Sequence, residues 1–490
     1  MLSMLVYTLQ AQSQISGNNL MEYQFGNIPD VDPSDLSTLY DQLNIQYRYK
    51  IFKSSFRIEQ FFSIDSVKRD YINLSQFLFQ YQYKKLELQV GNFYETLGRG
   101  LLYRSFEIPA SIKEEKFYRT RQGFYRDLQG VSFKYTGDVF KFKAIRGKPL
   151  NNTYPPGNDL QRTEQIEAVQ PEIHFLNQGL GLMGMRYVEQ GSTTWYSGIF
   201  MEGPLPWNFN YYAEYARDMS ENPNIFEFSE ENRYALYMSL NHSWGNYGAS
   251  FELKKYQNFI IGSGISDPPT LIKEHTYRLL NRSTHIPQLY NESGFQFEIY
   301  YRFNDGKLLT ANASRGANTF IDVFHFSEFF LEFYWPFNTS NYVKSFIDYA
   351  RDEIINETGR YATGIYYTQV LMNHWSVSFE SEYQQINRDY ALSQPIRNVY
   401  FGLILGKSTR ITTSVYYEFT SDENVADRPS AEEIETQRHF FGMGATYRPN
   451  FKNTFTLFAG ERRGGPACTS GICYEVLDFR GAEIRWTIKF

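Results

Sequence analysis

Along most of the chain, apolar and polar residues alternate one by one, the period of a strand with two unlike faces. Near the C-terminus Ala482, Ile484, Trp486, Ile488 and Phe490 share one side, and Glu483, Arg485, Thr487 and Lys489 the other. Phe295, Phe297, Ile299, Tyr301 and Phe303 oppose Gln296, Glu298, Tyr300 and Arg302 in the same way. The pattern recurs from Leu43 to Lys50 and from Trp375 to Glu382. A soluble sandwich would alternate too, so the faces alone do not fix the architecture.

The connections do. Tight ones, such as Gly137-Asp138, Gly203 to Trp207, Gly245-Asn246, Asn304 to Gly306, Asn373-His374, Gly406 to Ser408 and Pro449 to Asn453, take turns with long polar ones. The long ones are Arg146 to Thr163, Asp218 to Asn232, Gln257 to Ser293, Asp352 to Arg360, Gln385 to Pro395, Ser421 to Thr436 and Glu461 to Glu475. Short turns on one side and long loops on the other mark a bacterial outer-membrane barrel, with turns in the periplasm and loops outside the cell. The expected fold is all-β, a single closed antiparallel transmembrane β-barrel of roughly 24 strands, between about 20 and 26. An even count puts both termini on the periplasmic side.

Residues 15–490 then form one barrel domain. The short apolar stretch 1–14 reads as the remainder of a secretion signal or as a disordered terminus. Before the first strand there is too little chain for the plug domain of a TonB-dependent receptor.

Composition agrees. The 490 residues include 42 Phe, 40 Tyr and 6 Trp, which suit a lipid-facing band with aromatic girdles. No run of 18 apolar residues exists, which excludes a helical span. A net charge of -6 argues against a nucleic-acid partner. The expected partners are membrane lipids, lipopolysaccharide and other envelope proteins. No cofactor is expected.

The last strand resembles the closing strand read by the bacterial barrel-assembly machinery, with Gly481, Trp486, Ile488 and the terminal Phe490 as the assembly signal. Arg462 to Leu477, and Gly98-Arg99-Gly100-Leu101 with Arg104-Ser105, resemble an uncharacterised family of Bacteroidota outer-membrane proteins. That resemblance implies a barrel that accompanies the type IX protein-secretion apparatus. It brings no catalytic residue.

Cys468 and Cys473 enclose four residues in a loop expected outside the cell, where a local disulfide or two free thiols are the alternatives. Glu95 to Asp127 mixes aromatic and Leu residues with Arg99, Arg104, Arg119, Arg121 and Arg126. It reads either as a segment folded into the lumen, as plug or constriction, or as an external strand pair. An inward fold would pair those arginines with wall carboxylates. By parity Arg48, Lys50, Arg57, Lys134, Lys141 and Lys143 face the lumen early in the chain, and Glu298, Glu328, Glu332, Glu380, Glu382 and Glu418 face it later. Such charges orient a dipolar solute or pair with loops filling the bore, the second being preferred. His174, His242, His275, His285, His325, His374 and His439 have no metal-ligand spacing, and no Ser-His pair suggests an enzyme.

Two functions fit. One is a non-enzymatic accessory or scaffold barrel of an envelope complex; the other is a porin-like passive channel for small hydrophilic solutes.

Overall fold

The computed structural model describes residues 13–490 except 65–69, 118, 152–158, 221–231, 263, 267–268, 270–271, 287–289, 320–321, 390–393, 427–434 and 470–471. The stretch read as a signal remnant lies outside the described residues up to position 12. The first strand already begins at Ser13.

A single sheet of 24 strands winds through the chain, each strand antiparallel to its neighbour. The first strand, Ser13–Asn27, pairs with the last, Phe479–Lys489, so the sheet closes. Closure is what lets a strand cross lipid, because every backbone N–H and C=O then finds a partner within the sheet. Ser13 lies opposite Tyr49 and Lys489 opposite Asn18, which puts both termini at the end that carries the tight turns.

Alternation becomes two surfaces. Leu403 and Leu405 point outward and stay about 40% exposed, as do Phe295, Phe297 and Ile299. Their neighbours Glu328, Glu382 and Glu418 on other strands point inward and are buried. Placing a charge on the outer face, as in Leu403→Arg, costs about 2–4 kcal/mol at mid-membrane depth. Trp207, Trp244 and Trp375 stand exposed near the tight-turn end, in girdle position.

The tight turns use left-handed backbone, at Leu176 and Asn177 and again at Asn373 and His374. Lys50 sits in such a turn, so it is not on the lumen wall. Strict alternation of turn lengths fails in two places. Gln178–Glu189 and Ser192–Leu205 are joined by only Gln190 and Gly191 at the long-loop end. The expected long connection Asp352 to Arg360 is a short 3-10 turn, Glu353–Ile355. Among the described residues no helix is long and apolar enough to cross a membrane.

Candidate functional site

Three connections from the long-loop end, 94–127, 258–291 and 463–478, pack against the inner wall. The first folds as two small hairpins: Thr96–Leu97 with Tyr103–Arg104, and Phe106–Glu114 with Arg121–Arg126. Its Leu97, Leu101 and Leu102 are buried in an apolar cluster with inward-facing Met183, Met185 and Tyr212 of the wall. Phe259, Ile261 and Ile265 of the second segment enter the same cluster. Apolar side chains facing a lumen have no reason to exist unless they meet others there; burial of each such residue stabilises the inward fold by about 1.5–3 kcal/mol.

The Gly98-Arg99-Gly100-Leu101 motif is the hinge of this anchor. Gly98 has φ +55°, and a Cβ there would lie 2.4 Å from the Glu214 carboxylate. Glu214 instead accepts the Arg99 amide at 2.6 Å. The Arg99 guanidinium stacks 4.0 Å from the Tyr212 ring and donates to Ser239 Oγ at 3.1 Å. The Arg104 amide donates to the carbonyl of Ile265, joining the first two segments.

Arg99, Arg119 and Arg121 find partners away from the acidic wall of the second half. Arg121, almost fully buried, meets Glu22, Gln24 and Thr38 of the first two strands. Arg119 binds Glu114 of its own hairpin, and Arg126 stacks on Phe106 there. Burial alone would raise the Glu114 carboxyl, but Arg121 and Arg119 outweigh it and hold it below the usual range. The basic wall of the first third is met by this segment too: Arg57 pairs with Glu107 at 2.5 Å, and Lys134 and Lys143 pair with Glu95.

The acidic wall is taken by the second segment, a connection expected outside the cell. Lys273 pairs with Glu298, His275 with Glu328, and the Tyr277 hydroxyl donates to Glu332 at 2.6 Å. The amides of Arg278 and Leu279 donate to Glu382 at 2.7 and 2.8 Å. Tyr277, just before the short helix Arg278–Arg282, and Leu280 within it pack on Phe330 and Phe346. His285 Nδ1 lies 2.7 Å from Asp352; burial opposes its charge, yet the bonds to Asp352 and Glu292 hold its pKa at about 9. The wall charges therefore pair with inserted segments.

The third segment carries the hairpin Gly465–Thr469 and Ile472–Val476, also expected to lie outside. Its Ile472 and Tyr474 pack on Phe106 and Phe124 of the first segment. Cys468 and Cys473 are directly opposed in the ladder. Among the described residues His275, Glu328 and Asp348 could meet around a metal ion. Arg360 bonds Glu328 at 2.8 Å and Asp348 at 3.3 Å, so a guanidinium already answers their charge.

What remains open lies on the side of the later strands. A cavity of about 680 Å³ at the long-loop end is bordered by His285, Glu357, Arg388 and Asp422. A second, of about 430 Å³, is bordered by Tyr277, Arg278, Tyr366, Glu380 and Tyr400. Glu357 pairs in register with Arg388, and Tyr366 with Glu380, nine residues further along the strand. Gln384 and Ile386 also border the first cavity, so the second begins about 13 Å deeper along the neighbouring strand, four residues at about 3.3 Å each. Both cavities are bounded by Arg282, Arg463, Gly464, Gly465 and Pro466, which form the neck between them. Glu418, fully buried, accepts Arg282 and Arg463 there, and Arg278 Nε at 3.3 Å. Of these neck residues Glu418 and the stretch Arg463 to Pro466 stand out in the sequence; Arg278 and Arg282 do not, although their i, i+4 spacing beside Tyr277 and Leu280 marks a helical turn inside a long connection.

A family of unknown function, DUF6029, matches residues 206–328. No curated protein matches the chain. Similar solved structures include OccK9 (OpdG) of Pseudomonas aeruginosa, 11% identical over 70% of this chain and 95% of that one, with a TM-score of 0.41. OccAB3 of Acinetobacter baumannii is 10% identical over 98% and 100%, at 0.38. The P pilus usher (PapC) translocation pore is 8% identical over 97% and 99%, at 0.48. At these scores the likenesses carry no function over to this chain.

Proposed function

We propose that the chain is a passive channel for small hydrophilic solutes in a bacterial outer membrane, with both termini on the periplasmic side. Its lipid-facing belt contacts acyl chains and lipopolysaccharide. The observation that carries the reading is the pair of cavities, each bordered by charged side chains, meeting at the Arg282–Arg463 neck while the opposite side of the bore is filled. A wide barrel has been narrowed to one charged path. Proteoliposome swelling tests it: monosaccharide-sized solutes should enter and oligosaccharides should not. Swelling no faster than protein-free liposomes would overturn the reading.

A second reading is an accessory barrel of an envelope complex, such as the type IX protein-secretion apparatus. The apolar seal built from Leu97, Leu101 and Leu102 favours it, since sealing a bore serves a scaffold as well as a filter. Neither reading calls for catalysis. A disulfide between Cys468 and Cys473 belongs to both, because directly opposed ladder positions have the Cα separation that the bond requires.

A further inference from the structure

The neck gathers more positive charge than its nearest carboxylate balances. Elsewhere Lys273 of an inserted segment meets Glu298, and Arg57 of the wall meets Glu107. At the neck, Arg278, Arg282 and Arg463 share the single carboxylate of Glu418. The neighbouring Glu382 is saturated by the amides of Arg278 and Leu279 and by the Tyr366 hydroxyl. Glu380 accepts from Tyr400 at 2.9 Å, and Arg462 is paired with Glu483 at 3.0 Å.

The carboxylates lie behind the guanidiniums. Glu418 and Glu382 are almost fully buried, whereas the Arg278 side chain is 30% exposed and borders the deeper cavity. Its guanidinium lies over the neighbouring rings of Tyr416 and Tyr400, 4.3 and 4.9 Å from their centres, with Nε committed to Glu418. A partly exposed guanidinium held over two rings at the edge of a cavity can take an oxyanion through charge-assisted hydrogen bonds. The cavity of about 430 Å³ beside it has room for a solute of monosaccharide size.

We infer that the neck formed by Arg278, Arg282 and Arg463 is a binding site for small oxyanions, carboxylates or phosphates, moving through the bore. This rests on the channel reading and names its solute class. Negative solutes are concentrated at the narrowest point, and cations meet a positive surface there.

The full-length protein in planar bilayers under a KCl gradient supplies the test, with acetate and inorganic phosphate added separately. The wild type should show a reversal potential of anion-preferring sign and a concentration-dependent reduction of current by at least one probe. Acetate alone or phosphate alone would identify the class. Arg278→Gln should lower the anion preference and weaken the block about tenfold, the loss of one charged bidentate contact. Lys85→Gln, in an exposed turn paired with Asp138, should leave both unchanged. Folding of each variant is checked by heat-modifiable gel migration. A conducting wild type with cation preference, or with neither probe blocking, overturns the anion site and leaves the channel standing. A wild type that never conducts overturns the channel and this inference with it.

Discussion

Gly26 and Gly481 face each other across the seam between the first and last strands, and neither has room for a side chain. A Cβ on Gly481 would lie 2.2 Å from the Phe25 carbonyl, and one on Gly26 would lie 2.2 Å from that of Arg480. Both have positive φ, +138° and +153°, which a side chain would strain further. Gly481→Val should therefore lower the amount of closed barrel, read as heat-modifiable protein in outer-membrane fractions. Wild-type levels would show that the seam tolerates a side chain.

Phe490 finishes the same seam. Its amide donates to the Gly17 carbonyl at 3.0 Å, and the Gly17 amide donates back at 2.9 Å. Deleting Phe490 removes both bonds and the terminal aromatic that stands in register with Ile488 and Trp486. Folded protein in the outer membrane should fall, with the unfolded chain lost to periplasmic proteolysis. Unchanged levels would count against an assembly role.

The barrel was legible because its rule is local: a residue's parity decides whether it meets lipid or lumen, and Phe297, Leu403 and Ile484 obeyed it. The inserted segments were only partly legible. For 95–127 the apolar content of a charged connection pointed inward, but nothing local said which wall Arg121 would meet. Its partner Glu22 is about a hundred positions away and is defined only once the barrel closes. The segment 258–291 was read as an outside loop by its length and polarity. Its address lies in His275 and Tyr277, matched to Glu328 and Glu332 of one strand, and in Arg278, matched to Glu418 of another. Pairing of that kind carries no periodicity.

His285 makes the second segment sensitive to alkali. Its pKa is raised to about 9 from an ordinary value near 6.5, so the charged form is favoured by folding. The stabilisation is complete below about 6.5 and is gone once pH has risen through about 9. Hydrogen exchange of residues 272–286 should quicken between neutral pH and pH about 10 beyond the intrinsic chemical rate. His285→Gln should remove that extra dependence; a wild type that tracks the intrinsic rate alone would contradict the anchor.

Cys468 and Cys473 offer a simpler check. Protein isolated from membranes without reductant should resist alkylation at both residues and become doubly labelled after reduction. Labelling of either thiol before reduction would show that the pair is open.

On the channel reading, the inserted segments narrow a wide barrel to a single path lined by charged side chains. Single-channel conductance of the full-length protein, compared with a variant lacking residues 97–125, tests it most directly. Small, steady openings are expected in the wild type and a several-fold larger conductance after the deletion, which opens the side of the 24-stranded lumen that 94–127 fills while 258–291 and 463–478 still form the neck. A silent wild type that conducts only after the deletion would contradict the channel and favour the sealed accessory barrel. Equal, large conductance in both would contradict the constriction itself.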